Sequence, residues 1–126
     1  MPQARQPVAF IATSMPERSK AFYETTIGLT LRAESPFALV FDDHGITLRV
    51  QIVRDHQPQS YTAHGWEVAD IATEMSRLAE CGVTFQRFEH LEQSEQGVWT
   101  TPDGHKIAWF CDPDGNILSL TQFTRP

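Results

Sequence analysis

Residues 38–51 read ALVFDDHGITLRVQ and residues 108–121 read AWFCDPDGNILSLT. Aligned without a gap, Ala38 falls on Ala108, Asp42 on Asp112, Gly45 on Gly115 and Leu48 on Leu118, while Leu39, Val40 and Val50 fall on Trp109, Phe110 and Leu120. Each stretch is an apolar run, a turn bearing Asp and Gly, and a second alternating run, which is the pattern of a β-hairpin. Two such hairpins at one constant offset point to an internal duplication.

Working outward, the segment ahead of each hairpin also repeats. Residues 8–13 read as a strand. Ser14-Met15-Pro16-Glu17 has the form of a capping box with proline in the first turn, so a helix is expected through Ala21, Phe22 and Thr25-Thr26 to Ile27, stopped by Gly28. In the second half, residues 65–68 read as a strand. Asp70 caps a helix with an apolar stripe of Ile71, Met75, Leu78 and Ala79, and Gly82 stops it. Gly28 and Gly82 are each followed by an apolar residue and a threonine. Further strands are expected at 29–33, 37–41 and 46–53, then at 83–88, 98–101, 106–110 and 117–123. The fold class is therefore α+β: two βαβββ modules, the second with an extra hairpin near 86–101. A single domain over 1–126 is expected, with module one at 1–55, a polar linker at 56–62 and module two at 63–126. One half is too small to bury its core well. Two halves side by side would form a cupped mixed sheet around a concave cavity.

The chain has 126 residues with 10 Lys+Arg against 16 Asp+Glu, a net charge of -6, and 40% apolar residues. That supports a real core and argues against a nucleic-acid partner, which needs a basic face. No stretch is long and apolar enough for a membrane span, and the N-terminal apolar run is too short for a signal peptide. Cys81 and Cys111 make no disulfide framework, so a cytoplasmic setting is expected.

Glu17-Arg18-Ser19-Lys20-Ala21-Phe22-Tyr23 followed by Ile27-Gly28-Leu29, together with Asp112-Pro113-Asp114-Gly115-Asn116 followed by Leu118-Ser119-Leu120-Thr121-Gln122, resembles the vicinal-oxygen-chelate superfamily of glyoxalases, bleomycin-resistance proteins and extradiol dioxygenases. The resemblance spans nearly the whole chain and includes the paired modules. It implies a homodimer, as for many members, and two ligands per module to one divalent metal, from the first and last strands. Those positions fall at Val8, Arg49, Ala63 and Ser119. Valine and alanine carry no donor, and arginine is a permanent cation. No metal and no cofactor are therefore expected. His64 would serve only after a one-residue slip, which turns its side chain to the opposite face beside Trp66 and Val68. The remaining histidines, His44, His56, His90 and His105, read as exposed loop residues.

Strand alternation points Arg49 and Gln51 to one face, Ser119 and Thr121 to the matching face, and Glu67 and Phe10 alongside. These six, with Trp99 and Trp109 as flat apolar walls or as part of a dimer interface, are the candidate ligand-binding residues. Arg49 and Glu67 also read as an internal ion pair. No catalytic residue is assigned. The resemblance then implies either a metal-independent protein that binds a small organic molecule, as a bleomycin-resistance protein holds a cationic drug, or an enzyme. The enzyme would be a glyoxalase, lyase, epimerase or dioxygenase, using a divalent metal or a metal-free site of Arg49 as electrophile and Glu67 as base.

Overall fold

The computed structural model describes residues 2–124. The chain divides between Gln57 and Pro58 into two compact units of the same design. The first contains β1 (Val8–Thr13), α1 (Pro16–Ala21), β2 (Thr30–Glu34), β3 (Ala38–Asp43) and β4 (Ile46–Ile52); the second contains β5 (Thr62–Glu67), α2 (Ile71–Glu80), β6 (Trp99–Thr100), β7 (Lys106–Cys111) and β8 (Ile117–Gln122). The sheets have the orders β1-β4-β3-β2 and β5-β8-β7-β6. In each, the first strand runs parallel to the last and the others are antiparallel. The α+β class and the two βαβββ modules hold.

Alternation decides which face packs. In β4, Leu48 and Val50 are buried while Arg49 and Gln51 are not; in β8, Leu118 and Leu120 are buried while Ser119 and Thr121 are partly exposed. The helices cover the buried faces. Tyr23 lies 5.9 Å from Phe41 in the first unit, and α2 packs on β7 and β8 in the second, burying Ile71, Met75 and Leu78. Ala79, expected in that stripe, stays exposed. Burying each of the fully enclosed Phe41, Phe110, Leu48 and Leu118 contributes roughly 1.5–3 kcal/mol.

Three local expectations are corrected. Ser14 is not the N-cap of α1. That place falls to Met15, which has no capping oxygen, and the buried Thr13 hydroxyl instead accepts from Met15 N at 3.0 Å and from the Ser19 hydroxyl at 2.7 Å. The helix then widens into a π-helical turn, Phe22–Ile27, before Gly28 ends it at φ 92°. Asp70, by contrast, caps α2 as expected, accepting from Thr73 N at 3.2 Å.

The second difference from expectation is the offset of the hairpins, which is not constant. His44 and Gly45 have φ of 50° and 86° and close Asp43 against Ile46, a two-residue turn that requires positive φ at both positions. The second hairpin closes on Asp112 and Asn116 around Pro113, Asp114 and Gly115, one residue more. Phe41 therefore pairs with Leu48 as Phe110 pairs with Leu118. The ungapped alignment holds for β4 and β8 but is one residue out for β3 and β7, so Leu39, not Ala38, corresponds to Ala108.

The third is the inserted hairpin. Residues 83–88 form no strand, and one isolated bridge, Gln93 to Trp99, stands where a ladder was expected. Side chains organise the segment instead. Gln93 accepts from Phe88 N at 2.7 Å and donates to Gln86 O at 3.1 Å and Gly97 O at 2.8 Å. The Arg87 guanidinium donates to the carbonyls of Gln93, Ser94 and Glu95. With backbone groups satisfied in this way, the segment holds its shape without pairing.

Candidate functional site

Arg49 and Ser119 occupy the same place in their sheets. Arg49 is flanked by Phe10 on the parallel side and Val40 on the antiparallel side; Ser119 is flanked by Gly65 and Trp109. Both lie on the face away from the helix. In the first unit that face carries Phe10, 54% exposed, with Val8, Arg49 and Gln51. No carboxylate among the described residues of this unit pairs with Arg49; Asp42 on the same face of the neighbouring strand is 3.9 Å from Arg32.

The register shift between Thr62 and His64 makes Ala63 an extra residue in β5. Val8 faces Thr47 as Thr62 faces Ile117, so the counterpart of Val8 is Thr62, and Ala63 has none. The Thr62 hydroxyl accepts the Trp109 indole N–H at 3.0 Å. Gly65 leaves room for its neighbour: a Cβ there would overlap the Ser119 hydroxyl. His64 points the other way, edge-on to Trp66 at 4.9 Å, and Trp66 stacks 6.5 Å from the buried Phe110. The places that the resemblance assigns to metal ligands thus hold valine, arginine, an alanine or a bonded threonine, and serine. This donor set does not fit a divalent cation, which takes imidazole or carboxylate ligands. Among the described residues of either unit, no three His, Cys, Asp or Glu side chains converge.

The second unit gathers several candidates on one face. Thr121 pairs with Glu67 and Ile107, Trp109 with Ser119, and Trp99 with Ile107. The rings of Trp99 and Trp109 stack at 6.2 Å and 28°. Phe88 stands edge-on to Trp109 at 5.3 Å and 88°. Beside Trp109 is a recess of 190 Å3 whose walls include Tyr61, Thr62, Phe88, His90, Trp109 and Ile117. Of these, the sequence singled out Trp109 alone. Phe88 and His90 come from the stapled segment, and no periodicity marks a residue that a loop delivers. The structure brings Phe10, Arg49 and Gln51 together in one unit and Glu67, Ser119, Thr121, Trp99 and Trp109 in the other.

Buried polar groups elsewhere are structural. Asp112 accepts from Asp114 N, Asn116 N and the Asn116 amide within 3.0 Å, which fixes the tight turn. Burial, and then the charge of Asp112, push the Cys111 thiol above its usual range. The exposed Lys20 ammonium is raised by its hydrogen bond to Glu34 at 3.0 Å. Among the described residues no helix is long and apolar enough to cross a membrane.

Several solved structures share the fold. TnmS3, an antibiotic-binding protein from Streptomyces sp. CB03234, is 27% identical with a TM-score of 0.76, over 98% of this chain and 99% of that one. A superfamily member from Sphaerobacter thermophilus DSM 20745 is 24% identical with a TM-score of 0.75, over 96% and 98%. Lactoylglutathione lyase from Agrobacterium tumefaciens is 14% identical with a TM-score of 0.73, over 97% and 95%, a likeness of fold alone. No curated protein matches the sequence. The paired modules, the shared strand order and a sequence-profile match over residues 5–120 show that the chain belongs to the Glyoxalase/Bleomycin resistance protein/Dioxygenase superfamily.

Proposed function

We propose that this protein binds a small organic molecule on the helix-free face of its sheets, without a metal. The observation that carries the reading is the aromatic wall of the second unit: Trp99 stacked on Trp109, with Phe88 edge-on to it, on the sheet face that also carries Ser119 and Thr121. Flat apolar surface with a few fixed polar groups is the usual chemistry of a small-molecule site. The donor set argues for metal independence, since Val8 and Arg49 offer nothing to a cation. The likeness to an antibiotic-binding protein at 27% identity supports binding over turnover. The remaining residues of the proposal are Phe10, Gln51 and Glu67, and Arg49 sets the charge preference of the first-unit face. The protein works as a cytoplasmic homodimer in this reading.

The test is a fluorescence titration of the three tryptophans with 1-naphthol and 1-naphthoate, with and without EDTA. Saturable quenching by 1-naphthol, unchanged by the chelator, is expected. Binding lost in EDTA and restored by one equivalent of a divalent ion would refute metal independence. The absence of saturable binding by either compound would refute the reading itself.

A further inference from the structure

We infer that the recess beside Trp109 receives a compact alkylammonium group, of the trimethylammonium class, held by aromatic rings. This rests on the reading of the second-unit face as a ligand site and names the chemistry that one corner of it selects. Four of the eight residues that line the recess carry rings, Tyr61, Phe88, His90 and Trp109, and none is Lys, Arg, Asp or Glu. The Phe88 ring is 5.3 Å from Trp109 and 6.0 Å from His90, centre to centre. The face of an aromatic ring carries negative π density that attracts a cation, and a weakly hydrated quaternary ammonium loses little on leaving water. An anion finds no such partner: the lining holds no guanidinium or ammonium, and the Trp109 N–H already donates to Thr62.

Size points the same way. At 190 Å3 the recess is below the roughly 300–1,000 Å3 that encloses a whole drug-sized ligand, so it takes a head group. Charge completes the case. The first unit carries six Asp and Glu against six Lys and Arg, whereas the second carries ten against four, so the second unit holds the whole acid excess of the chain. Three of those acids, Glu89, Glu92 and Glu95, lie in the segment that supplies Phe88 and His90. The one cation of that segment, Arg87, is turned onto its carbonyls. The surrounding field therefore favours a positive ligand, while the rings discriminate its shape.

The experiment compares choline with its neutral isostere 3,3-dimethylbutan-1-ol, by calorimetry and by the Trp109 indole N–H resonance, with 1-naphthol as the control arm. Choline is expected to bind about tenfold tighter than the isostere and to shift the Trp109 signal. Phe88→Leu, which keeps apolar bulk and removes a ring, is expected to abolish the preference. Tyr61→Leu, at a residue 67% exposed, is expected to reduce it. Equal binding of choline and the isostere, or binding of neither while 1-naphthol still quenches tryptophan, overturns the cation assignment and leaves the broader reading standing. Failure of all three compounds overturns both.

Discussion

Gly65→Ala tests the geometry around Ser119, the last-strand position of the second unit. A Cβ at residue 65 would overlap the Ser119 hydroxyl, approach the Ser119 carbonyl oxygen to 3.1 Å and lie 3.4 Å from the Ser119 Cβ. Gly65 has no positive φ, so the cost is one of space and not of backbone conformation. Overpacking of this kind costs about 1–3 kcal/mol, against about 0.4–1 kcal/mol recovered from the less flexible unfolded chain. A net loss of about 1–2 kcal/mol is expected, which lowers Tm by roughly 4–8 °C in a domain of this size. Ser119→Ala alone should fall within about 0.5 kcal/mol of the parent, as surface changes do. In the double variant the worst clash is gone and only the carbonyl contact remains, so stability should return most of the way. The coupling energy from the four proteins, by thermal and urea unfolding, should be at least about 1 kcal/mol, as for residues in contact. A Gly65→Ala protein as stable as the parent, or a double variant no better than Gly65→Ala, would show that Ser119 does not lie over Gly65.

Arg49→Ala is expected to leave Tm within about 1 °C, since no carboxylate of its unit pairs with it, and to weaken 1-naphthoate about tenfold while 1-naphthol is unaffected; equal loss for both compounds would refute a charge role. Gln93→Ala removes three hydrogen bonds that shape the segment carrying Phe88; hydrogen exchange at the Phe88 amide should accelerate by an order of magnitude or more, and unchanged exchange would mean that the segment is held by other contacts. Cys81 is exposed and Cys111 partly buried, and the thiolate is the reactive form. Cys111 should therefore be the slower to alkylate, with a pH profile displaced upward because burial raises its thiol; simultaneous labelling would refute this. The same shift destabilises the fold as pH rises through the usual thiol range, because the unfolded chain ionises first, and contributes nothing below it. Phe110→Ala empties a fully buried site and should cost about 3–5 kcal/mol in urea unfolding.

Most of the elements, and the faces of β4 and β8, are legible in the sequence alone. Period-two alternation around Leu48-Arg49-Val50 and Leu118-Ser119-Leu120 separates core from open face, because a strand with one buried side admits no other register. The stops at Gly28 and Gly82 were legible because positive φ there favours glycine. The choice of Val8, Arg49 and Ser119 as positions to weigh came from the repeat and the resemblance together. The remainder depends on contacts between residues distant along the chain. A one-residue difference between the His44-Gly45 and Pro113-Asp114-Gly115 turns shifted β3 against β7, which an ungapped alignment conceals since both turns end on a glycine with positive φ. The extra residue Ala63 moved the first-strand position to Thr62, and a bulge has no dependable mark in composition. Phe88 and His90 reach the recess because Gln93 and Arg87 fold residues 86–98 back on themselves through side-chain bonds to backbone. Such bonds join residues by position in space, and a pattern read along the chain records only spacing.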